Sequence, residues 1–359
     1  MTPILPLLAT LAIVSPQDGA TVPTLKDGQK DYLSADRVER VRRMDNPGNR
    51  AKILAVGARQ LPLKIAWTTD RTNETWSLKV VREGGPTEVF AVTNRTTAYL
   101  TNLELGARYR WSVSDGHDTA TATFITEDTA PRFLYAGGVG NFRDLGGWRT
   151  TDGRRVRQNR VFRSAGLRAS SKSKGQSGLF ATKFVSGPRR VTDAGLETLR
   201  REFKIRTDIE LRTTHEAAGM DASLLGPNVN WVKQPFGAYD FIDRPTHGKQ
   251  PFKNVFRLFT DERNYPVLMH CSGGRDRTGT LAFLLNGLLG VSEEDLCRDW
   301  EVSIFSDGGG TYTFDRIQRL LDYLKTYPGE SLKANIEVYA KSCGVTDDEI
   351  AAFRKLMLE

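Results

Sequence analysis

The sequence is poor in the residues that build disulfide frameworks and metal centres. Its 359 residues include only three cysteines, Cys271, Cys297 and Cys343, and four histidines. Three cysteines cannot form several disulfide bonds, and all of them lie in the last third of the chain. His117, His215 and His247 lie singly among polar residues without the spacing of metal ligands. We therefore expect neither a disulfide-stabilised fold nor a metal or other cofactor.

A long hydrophobic run is also missing. The longest, residues 4–14, is interrupted by Pro6 and Thr10 and is shorter than the roughly 20 residues that a membrane-spanning helix needs. We expect no transmembrane segment. Residues 1–20 are a candidate signal segment, although the first basic residue is Lys26. The alternative for the same residues is a buried first strand that ends in a turn. A secreted or periplasmic protein is expected, with a cytoplasmic one as the alternative.

Composition indicates an ordinary folded protein of about two domains. The chain has 39% hydrophobic and 26% charged residues, which excludes a disordered, collagen-like or coiled-coil protein. Its net charge of +8 fits an anionic partner, but an excess of this size is as common in basic surfaces that only promote solubility.

Residues from about 60 to 126 alternate apolar and polar side chains in short runs separated by turns, which predicts an antiparallel β-sandwich. The sequence LELGARYRW at residues 103–111 resembles the end of a fibronectin type III domain. In that family a tyrosine at the place of Tyr109 forms the tyrosine corner, and Trp67 stands where a core tryptophan is usual. We expect a fibronectin type III or immunoglobulin-like domain over residues 21–130, whose partner the sequence does not identify.

A charged stretch, residues 31–50, has helical spacing of Leu33, Val38 and Val41. It carries four arginines, Arg37, Arg40, Arg42 and Arg43. A nucleic-acid contact is disfavoured because no aromatic residues lie between the arginines to stack on bases. The pattern favours an exposed helix inserted between the first two strands of the β-sandwich.

After a polar connector at residues 127–131, short β-prone runs alternate with helical patterns. The β-prone runs are residues 133–135, 205–211, 229–232 and 267–269, and helical patterns include residues 192–203, 252–258 and 278–289. This alternation predicts an α/β domain over residues 131–359, with a largely parallel sheet flanked by helices. The Ser/Lys/Gly-rich residues 169–178 are predicted to form a loop.

The segment HCSGGRDRTGT at residues 270–280 carries the chemistry. A buried strand is predicted to end at His270 and a helix to begin near Arg277, with Cys271, two glycines and two further charged residues between them. Glycines let successive backbone N–H groups converge on an anion, and a helix N-terminus adds its own N–H groups. Such surroundings favour the thiolate, the nucleophilic form of cysteine. The segment therefore predicts a phosphoryl-transfer site whose sulfur solvent can reach.

His270-Cys271, five residues and then Arg277-Thr278-Gly279 resemble the HC-x5-R-T-G loop of cysteine-dependent protein tyrosine phosphatases. NFRDLGG at residues 141–147 and VFRS at residues 161–164 resemble blocks of the bacterial tyrosine phosphatase family. Glu210 departs from the aspartate that is common in that family, which puts any role borrowed for it in doubt. Rhodanese-type sulfurtransferases typically have four residues between cysteine and arginine, so five residues favour a ring for phosphate.

The chemistry of the loop assigns a role to each residue type. Cys271 would attack phosphorus and form a phosphocysteine, Arg277 would grip two phosphate oxygens, and Thr278 would hydrogen-bond the sulfur. His270 would support the cysteine backbone rather than act as a base. The expected phosphate-binding set is His270, Ser272, Gly273, Gly274, Arg275 and Arg277.

The departing oxygen needs a general acid. The bacterial family carries an aspartate at the place of Asp276, inside the loop, and this residue is our first choice for the acid and for the base of the second step. Asp240, which lies 31 residues before Cys271, is the alternative, and Asp243 is a weaker variant. Arg275 is a second cation that could accept a further phosphate.

Residues outside the loop are predicted to be structural. We expect Arg143, Asp144, Arg163 and Arg212 to form internal ion pairs, and Cys297 and Cys343 to be core thiols. The sequence thus predicts a metal-independent phosphomonoester hydrolase with a phosphocysteine intermediate, most simply a protein-tyrosine phosphatase. The alternatives are a phosphoinositide or inositol polyphosphate phosphatase, and a non-catalytic module that binds phosphate.

Overall fold

The computed structural model describes residues 11–70, 75–85, 88–167, 191–217, 220–244, 246–306 and 314–359. The predicted loop at residues 169–178 and the first ten residues of the candidate signal segment lie outside this part of the chain. The chain divides into two units. The first contains residues 11–24 and Leu61–Thr129, and the second contains Leu25–Gln60 and the residues from Ala130 onward.

The first unit consists of two β-sheets. Its strands are β1 (Ala12–Ser15), β2 (Ala20–Val22), β3 (Leu63–Thr68), β4 (Trp76–Arg82), β5 (Glu88–Thr93), β6 (Thr97–Leu100), β7 (Arg108–Ser114) and β8 (Thr119–Thr126). One sheet has the order β1-β3-β6 and the other the order β2-β8-β7-β4-β5. Pairing is antiparallel except between β2 and β8.

Side chains of both sheets share one hydrophobic core. Trp67 on β3 and Trp76 on β4 lie edge to face, with ring centroids 6.4 Å apart. The hydroxyl of Tyr109 accepts a hydrogen bond from the backbone N–H of Glu104 at 2.9 Å, which is the contact of a tyrosine corner. The assignment of this unit to the fibronectin type III kind stays a prediction.

The first strand differs from the expected buried one. Ala12–Ser15 forms an edge strand whose residues are alternately exposed and half-buried. It pairs with β3, with Ile13 opposite Trp67. Export of the chain stays a prediction.

The helix expected within the β-sandwich belongs to the second unit. Leu25–Gln60 forms three short helices, α1 (Asp27–Ser34), α2 (Arg37–Asp45) and α3 (Pro47–Val56). The prediction of an exposed helix was wrong for one face of α2, because Arg40 and Met44 are buried. Apolar spacing did not reveal this, since the side chain buried most deeply on that face is an arginine.

The second unit is built around a mixed sheet. Its strands are β9 (Arg143–Asp144), β10 (Val161–Ala165), β11 (Thr207–Glu210), β12 (Asn230–Lys233) and β13 (Val267–Cys271), in the order β12-β11-β13-β10-β9. All pairs are parallel except β9 with β10. The run at residues 133–135 forms only an isolated bridge between Phe133 and Arg143, because its partner β9 is two residues long.

Helices accompany this sheet. They are α4 (Asp193–Glu197), α5 (Lys249–Phe256), α6 (Arg277–Leu289), α7 (Glu293–Glu301), α8 (Asp315–Leu324), α9 (Leu332–Ser342) and α10 (Asp347–Met357). A π-helical turn, Thr198–Glu202, continues α4, and 3₁₀ turns are Tyr239–Asp243, Arg257–Thr260, Glu262–Asn264 and Val302–Phe305. Across the described ranges, no helix is both long and apolar enough to cross a membrane.

Candidate active site

The HC-x5-R loop joins the central strand of the second sheet to its most buried helix. Strand β13 lies between β10 and β11, is parallel to both, and ends at Cys271. Helix α6 begins at Arg277 and is buried along nearly its whole length. Because strand and helix are both fixed by the core, the five residues between them have little freedom to move.

The carbonyl groups of this loop point away from the cysteine. Three consecutive carbonyl oxygens accept hydrogen bonds from the surrounding fold: Ser272 from the Gly166 amide at 3.3 Å, Gly273 from Asn141 at 3.0 Å, and Gly274 from Arg163 at 2.8 Å. In a trans peptide the N–H of the next residue points the opposite way. The amides of residues 273–275 therefore face inward and form a nest for an anion.

Gly274 is required by this arrangement. Its φ is +69°, in the region that favours glycine. A Cβ atom there would also lie 2.5 Å from the carbonyl oxygen of Ser164 on β10. The loop therefore packs directly on the neighbouring strand.

Cys271 lies at the floor of the nest. The residue is only 2% exposed, so the expectation of a sulfur that solvent can reach is wrong, because Cys271 is the last residue of the fully buried strand β13. Ser272, Arg275 and Arg277 form a half-buried rim above it.

The arginine of the loop is held by a residue that the sequence did not reveal. Glu216 accepts two hydrogen bonds from Arg277, at 2.6 and 2.7 Å, and one from the Ser272 hydroxyl at 3.2 Å. The hydrogen bond from Arg277 holds the pKa of the Glu216 carboxyl well below its usual range. Burial would lower the pKa of Arg277, but its bonds to Glu216 and the charge of Cys271 raise it. Both groups are therefore charged.

His270 lies beneath the loop and is fully buried. Its Nε2 atom is 2.8 Å from Asp208 Oδ1, and its Nδ1 atom is 3.6 Å from Glu210 Oε2. Burial would lower the pKa of the imidazole, but the charge of Asp208 raises it above its ordinary value. Glu210 also holds Arg212 through two hydrogen bonds. The ring is thus held between two carboxylates of β11, and its support of the cysteine backbone stays a prediction.

A carboxylate from α7 binds two buried arginines behind the loop. Asp299 accepts hydrogen bonds from Arg143, at 2.9 Å, and from Arg163. Both arginines are fully buried, which confirms the predicted internal ion pairs. Burial would raise the pKa of Asp299, but the two arginines hold it below its ordinary value. Burial and the charge of Arg143 lower the pKa of Arg163 to about 10.

Asp276 is surrounded by three donors. Its Oδ1 atom accepts a hydrogen bond from the Tyr239 hydroxyl, and it lies 3.0 Å from Arg316 on α8 and 3.3 Å from Arg275. Burial would raise the pKa of this carboxyl, but these contacts hold it below its ordinary value. Tyr239 has a φ of +57°, which non-glycine residues rarely adopt. The backbone of Tyr239 is therefore strained at a residue that contacts the loop.

The other candidate acids lie on the same 3₁₀ turn as Tyr239. The side chain of Asp240 is 42% exposed, and its Oδ1 atom is 3.7 Å from Arg319. Asp243 accepts a hydrogen bond from the Tyr323 hydroxyl at 2.7 Å. The loop and this turn therefore meet at Asp276 and Tyr239.

The expected hydrogen bond from Thr278 to the sulfur is not formed. The hydroxyl of Thr278 is buried and has no hydrogen-bond partner among the residues that the structure describes. Thr278 stands in the first turn of α6, which packs into the core. The guanidinium groups of Arg277, Arg163 and Arg212 each interact electrostatically with Cys271.

Comparison with known proteins identifies the family. A family model described as "Tyrosine phosphatase family" matches residues 134–179 and 186–359, which is more than half of the chain. The chain belongs to the tyrosine phosphatase family. The match excludes the first unit and the helices at Leu25–Gln60.

Two curated relatives carry the same kind of name. A candidate tyrosine-protein phosphatase of Cupriavidus necator is 26% identical over 187 residues, which cover 45% of this chain and 59% of the relative. A tyrosine-protein phosphatase of Nostoc commune is 27% identical over 133 residues, which cover 32% of this chain and 45% of the relative. The chain spans about half the length of these relatives.

Among solved structures, the chain is similar to the core catalytic domain of the PP-IP phosphatase SIW14 from S. cerevisiae, solved in complex with citrate. The sequence identity is 15% and the TM-score is 0.26. The similarity covers 38% of this chain and 85% of that structure.

Sequence reasoning missed the partners that hold the loop, namely Asn141, Glu216, Tyr239, Asp299 and Arg316. The sequence does indicate that Asp299 is buried, since it lies three residues after Leu296 on the apolar face of α7. A charge on such a face needs a buried partner. For Glu216 and Arg316 the sequence gives no such indication, because nothing in their spacing identifies the loop as their partner.

The Asp299 carboxylate generates a prediction on stability. Replacing it by asparagine in Asp299→Asn leaves two buried arginines without their counter-charge, which costs about 3–5 kcal/mol of unfolding free energy. Because the pKa of Asp299 is depressed in the fold, its contribution is present above its unfolded pKa and is lost as the pH falls through the folded value. Denaturant unfolding between pH 3 and roughly pH 7 measures both effects. Equal stability of the variant and the wild type would contradict this account.

Proposed function

We propose that the protein is a metal-independent phosphomonoester hydrolase that works through a phosphocysteine, and that its substrates are tyrosine-phosphorylated proteins. The observation that carries the proposal is the set of outward carbonyls at Ser272, Gly273 and Gly274. These bonds turn three amides toward one point above Cys271, with Arg277 beside them. Preorganised donors of this kind stabilise the charge of a transferring phosphoryl group.

In the first step the Cys271 thiolate attacks phosphorus. The S–P bond forms, the P–O bond to the leaving group breaks, and the leaving oxygen takes a proton from Asp276. In the second step water attacks phosphorus, the S–P bond breaks, and Asp276 takes the proton from water. The amides of residues 273–275 and the guanidinium of Arg277 hold the phosphoryl oxygens throughout.

Asp276 is favoured over Asp240 as the acid because it lies inside the loop. In the free protein its carboxyl is held ionised by Tyr239, Arg275 and Arg316. A phosphate dianion beside a carboxylate raises the pKa of that carboxyl, because like charges disfavour ionisation. Substrate binding therefore raises the pKa of the Asp276 carboxyl, so that it can hold the proton that a general acid donates. Asp240 stays the alternative.

The choice of substrate rests on the family. The family model and the relatives from Cupriavidus necator and Nostoc commune all carry the name tyrosine phosphatase. A phenolate is also a leaving group that a single carboxylic acid can protonate. Phosphotyrosine in proteins is accordingly the first substrate to test.

One observation favours a second candidate, a phosphoinositide or inositol polyphosphate. Arg275, Arg316 and Arg319 gather on one side of the loop, where Asp276 and Asp240 are their carboxylate partners. Protonation of Asp276 during catalysis would free Arg275 and Arg316 to bind a second phosphate. This arrangement would suit a ring that carries neighbouring phosphate groups.

The proposed activity predicts turnover of p-nitrophenyl phosphate in the presence of EDTA. Cys271→Ser should abolish this turnover, because a serine hydroxyl in the same place is a far weaker nucleophile. The buried Cys297→Ser variant is the matched control and should keep activity, since burial raises the pKa of that thiol to about 12. A wild-type protein without EDTA-resistant turnover that still binds phosphate would be the non-catalytic module instead.

The acid assignment predicts a distinct pH profile. Asp276→Asn should lower kcat by about 10²–10⁴-fold and remove the basic limb of the rate profile. Tyr239→Phe removes one donor that stabilises the carboxylate, so the pKa of Asp276 rises and the basic limb of kcat/KM moves up by about one pH unit. If Asp240→Asn alone removes the basic limb, the acid is Asp240.

The two substrate classes are separated by Arg316→Ala. For a phosphoinositide or inositol polyphosphate we expect about a tenfold loss in kcat/KM or more beyond the loss for a phosphotyrosine peptide, since the arginine would bind a second phosphate. Equal losses for both substrates mean that Arg316 acts only through Asp276. The comparison of wild-type kcat/KM values then decides which class is the better substrate.

A further inference from the structure

The helices at Leu25–Gln60 lie outside the match to the tyrosine phosphatase family, which begins at residue 134. They nevertheless belong to the same compact unit as the catalytic loop. We infer that they are a working part of the catalytic unit, and that Arg40 is a positioning residue that acts on the phosphate loop through α7. The kinetic part of this inference rests on the proposed function.

The first step is a buried ion pair between α2 and α7. The Nε atom of Arg40 donates to Glu301 at 2.5 Å, and both side chains are fully buried. The same guanidinium donates to Glu294 at 2.7 Å and to the carbonyl of Ala35 at 2.6 Å. A buried arginine with three acceptors has one well-defined position, and it fixes the two glutamates at either end of α7.

Apolar packing holds the same elements together. Tyr32 of α1 packs edge to face on Phe305, with ring centroids 5.4 Å apart, and Phe305 also contacts Phe133. Leu25, Leu33 and Met44 are buried in this cluster beside Val302 and Ile304, which follow α7. The helices therefore cover the C-terminal end of α7 with both charge and apolar contacts.

The second step leads from α7 to the loop. Asp299 lies two residues before Glu301 and binds Arg143 and Arg163. Arg163 donates to the Gly274 carbonyl at 2.8 Å, and Arg143 bonds Asn141, which donates to the Gly273 carbonyl at 3.0 Å. A shift of α7 would therefore change the peptide planes that aim the loop amides at phosphate.

A cavity lies between the end of α3 and the segment that contains Asn141. Its volume is about 240 Å³, and it is lined by residues 54–59, by residues 138–141 and by Ser306. Asn141 is thus shared by the cavity wall and the phosphate loop. The segment that follows and ends α3 and the support Asn141 therefore border the same cavity.

The test compares Arg40→Met with Arg42→Met. Arg42 lies on the same helix, but its side chain is 71% exposed and pairs with Glu39. We expect Arg40→Met to weaken binding of inorganic phosphate, to lower kcat/KM for p-nitrophenyl phosphate about tenfold, and to speed amide hydrogen exchange at residues 272–276. Arg42→Met should stay within about twofold of wild type in all three. Equal values for the two variants would overturn the inference.

A double variant covers the case in which Arg40→Met does not fold. Arg40→Met with Glu301→Leu removes both buried charges, a change that proteins often tolerate. Slower turnover and faster loop exchange in a double variant of wild-type thermal stability support the inference, and wild-type values for both overturn it. If the wild type hydrolyses no phosphomonoester, the proposed function fails, while phosphate binding and amide exchange still test the role of Arg40.

Discussion

The geometry of the phosphate loop depends on the charge balance around Asp299. Two arginines, Arg143 and Arg163, are fully buried behind the loop, and both bind this one carboxylate. Arg163 binds the carbonyl of Gly274 directly. Arg143 holds Asn141, which binds the carbonyl of Gly273. Without these bonds the two carbonyls would be free to turn toward the cysteine. The anion nest in front is thus a consequence of the ion pairs behind it, because each fixed carbonyl sets the direction of the next amide.

Opposite charges are also matched on the open side of the loop. Glu216 takes two N–H groups of Arg277, and Asp276 takes donors from Tyr239, Arg275 and Arg316. The donors of the site are therefore already oriented, and the proposed binding of phosphate would need little reorganisation. The depressed pKa of the Asp276 carboxyl belongs to this resting state. In the proposed mechanism, the phosphate of the substrate would raise this pKa, so that Asp276 would take up its proton when substrate binds.

Local sequence patterns predicted the strand, the loop and the helix of the site. They did not predict the ion pairs and hydrogen bonds between residues that are far apart in the sequence. The spacing from Cys271 to Arg277, with its glycines, indicated a loop between a strand and a helix, and the structure has β13 and α6 there. Alternation predicted strands β7 and β8, and the position of Tyr109 predicted its hydrogen bond to the backbone. Arg40 was predicted to be exposed, because side-chain spacing contains no information about a partner 261 residues away. The same holds for Glu216, whose partner Arg277 lies 61 residues away.

In the proposed reaction the Cys271 sulfur, at the floor of a ring of amides, becomes the carrier of the phosphoryl group. The most direct measurement is mass spectrometry of the protein after acid quenching during turnover of p-nitrophenyl phosphate. The account predicts one phosphoryl group on the peptide that contains Cys271, with more of it in Asp276→Asn if hydrolysis of the intermediate is slowed more than its formation. A phosphoryl group on any other residue, or turnover that persists in Cys271→Ser, would contradict it.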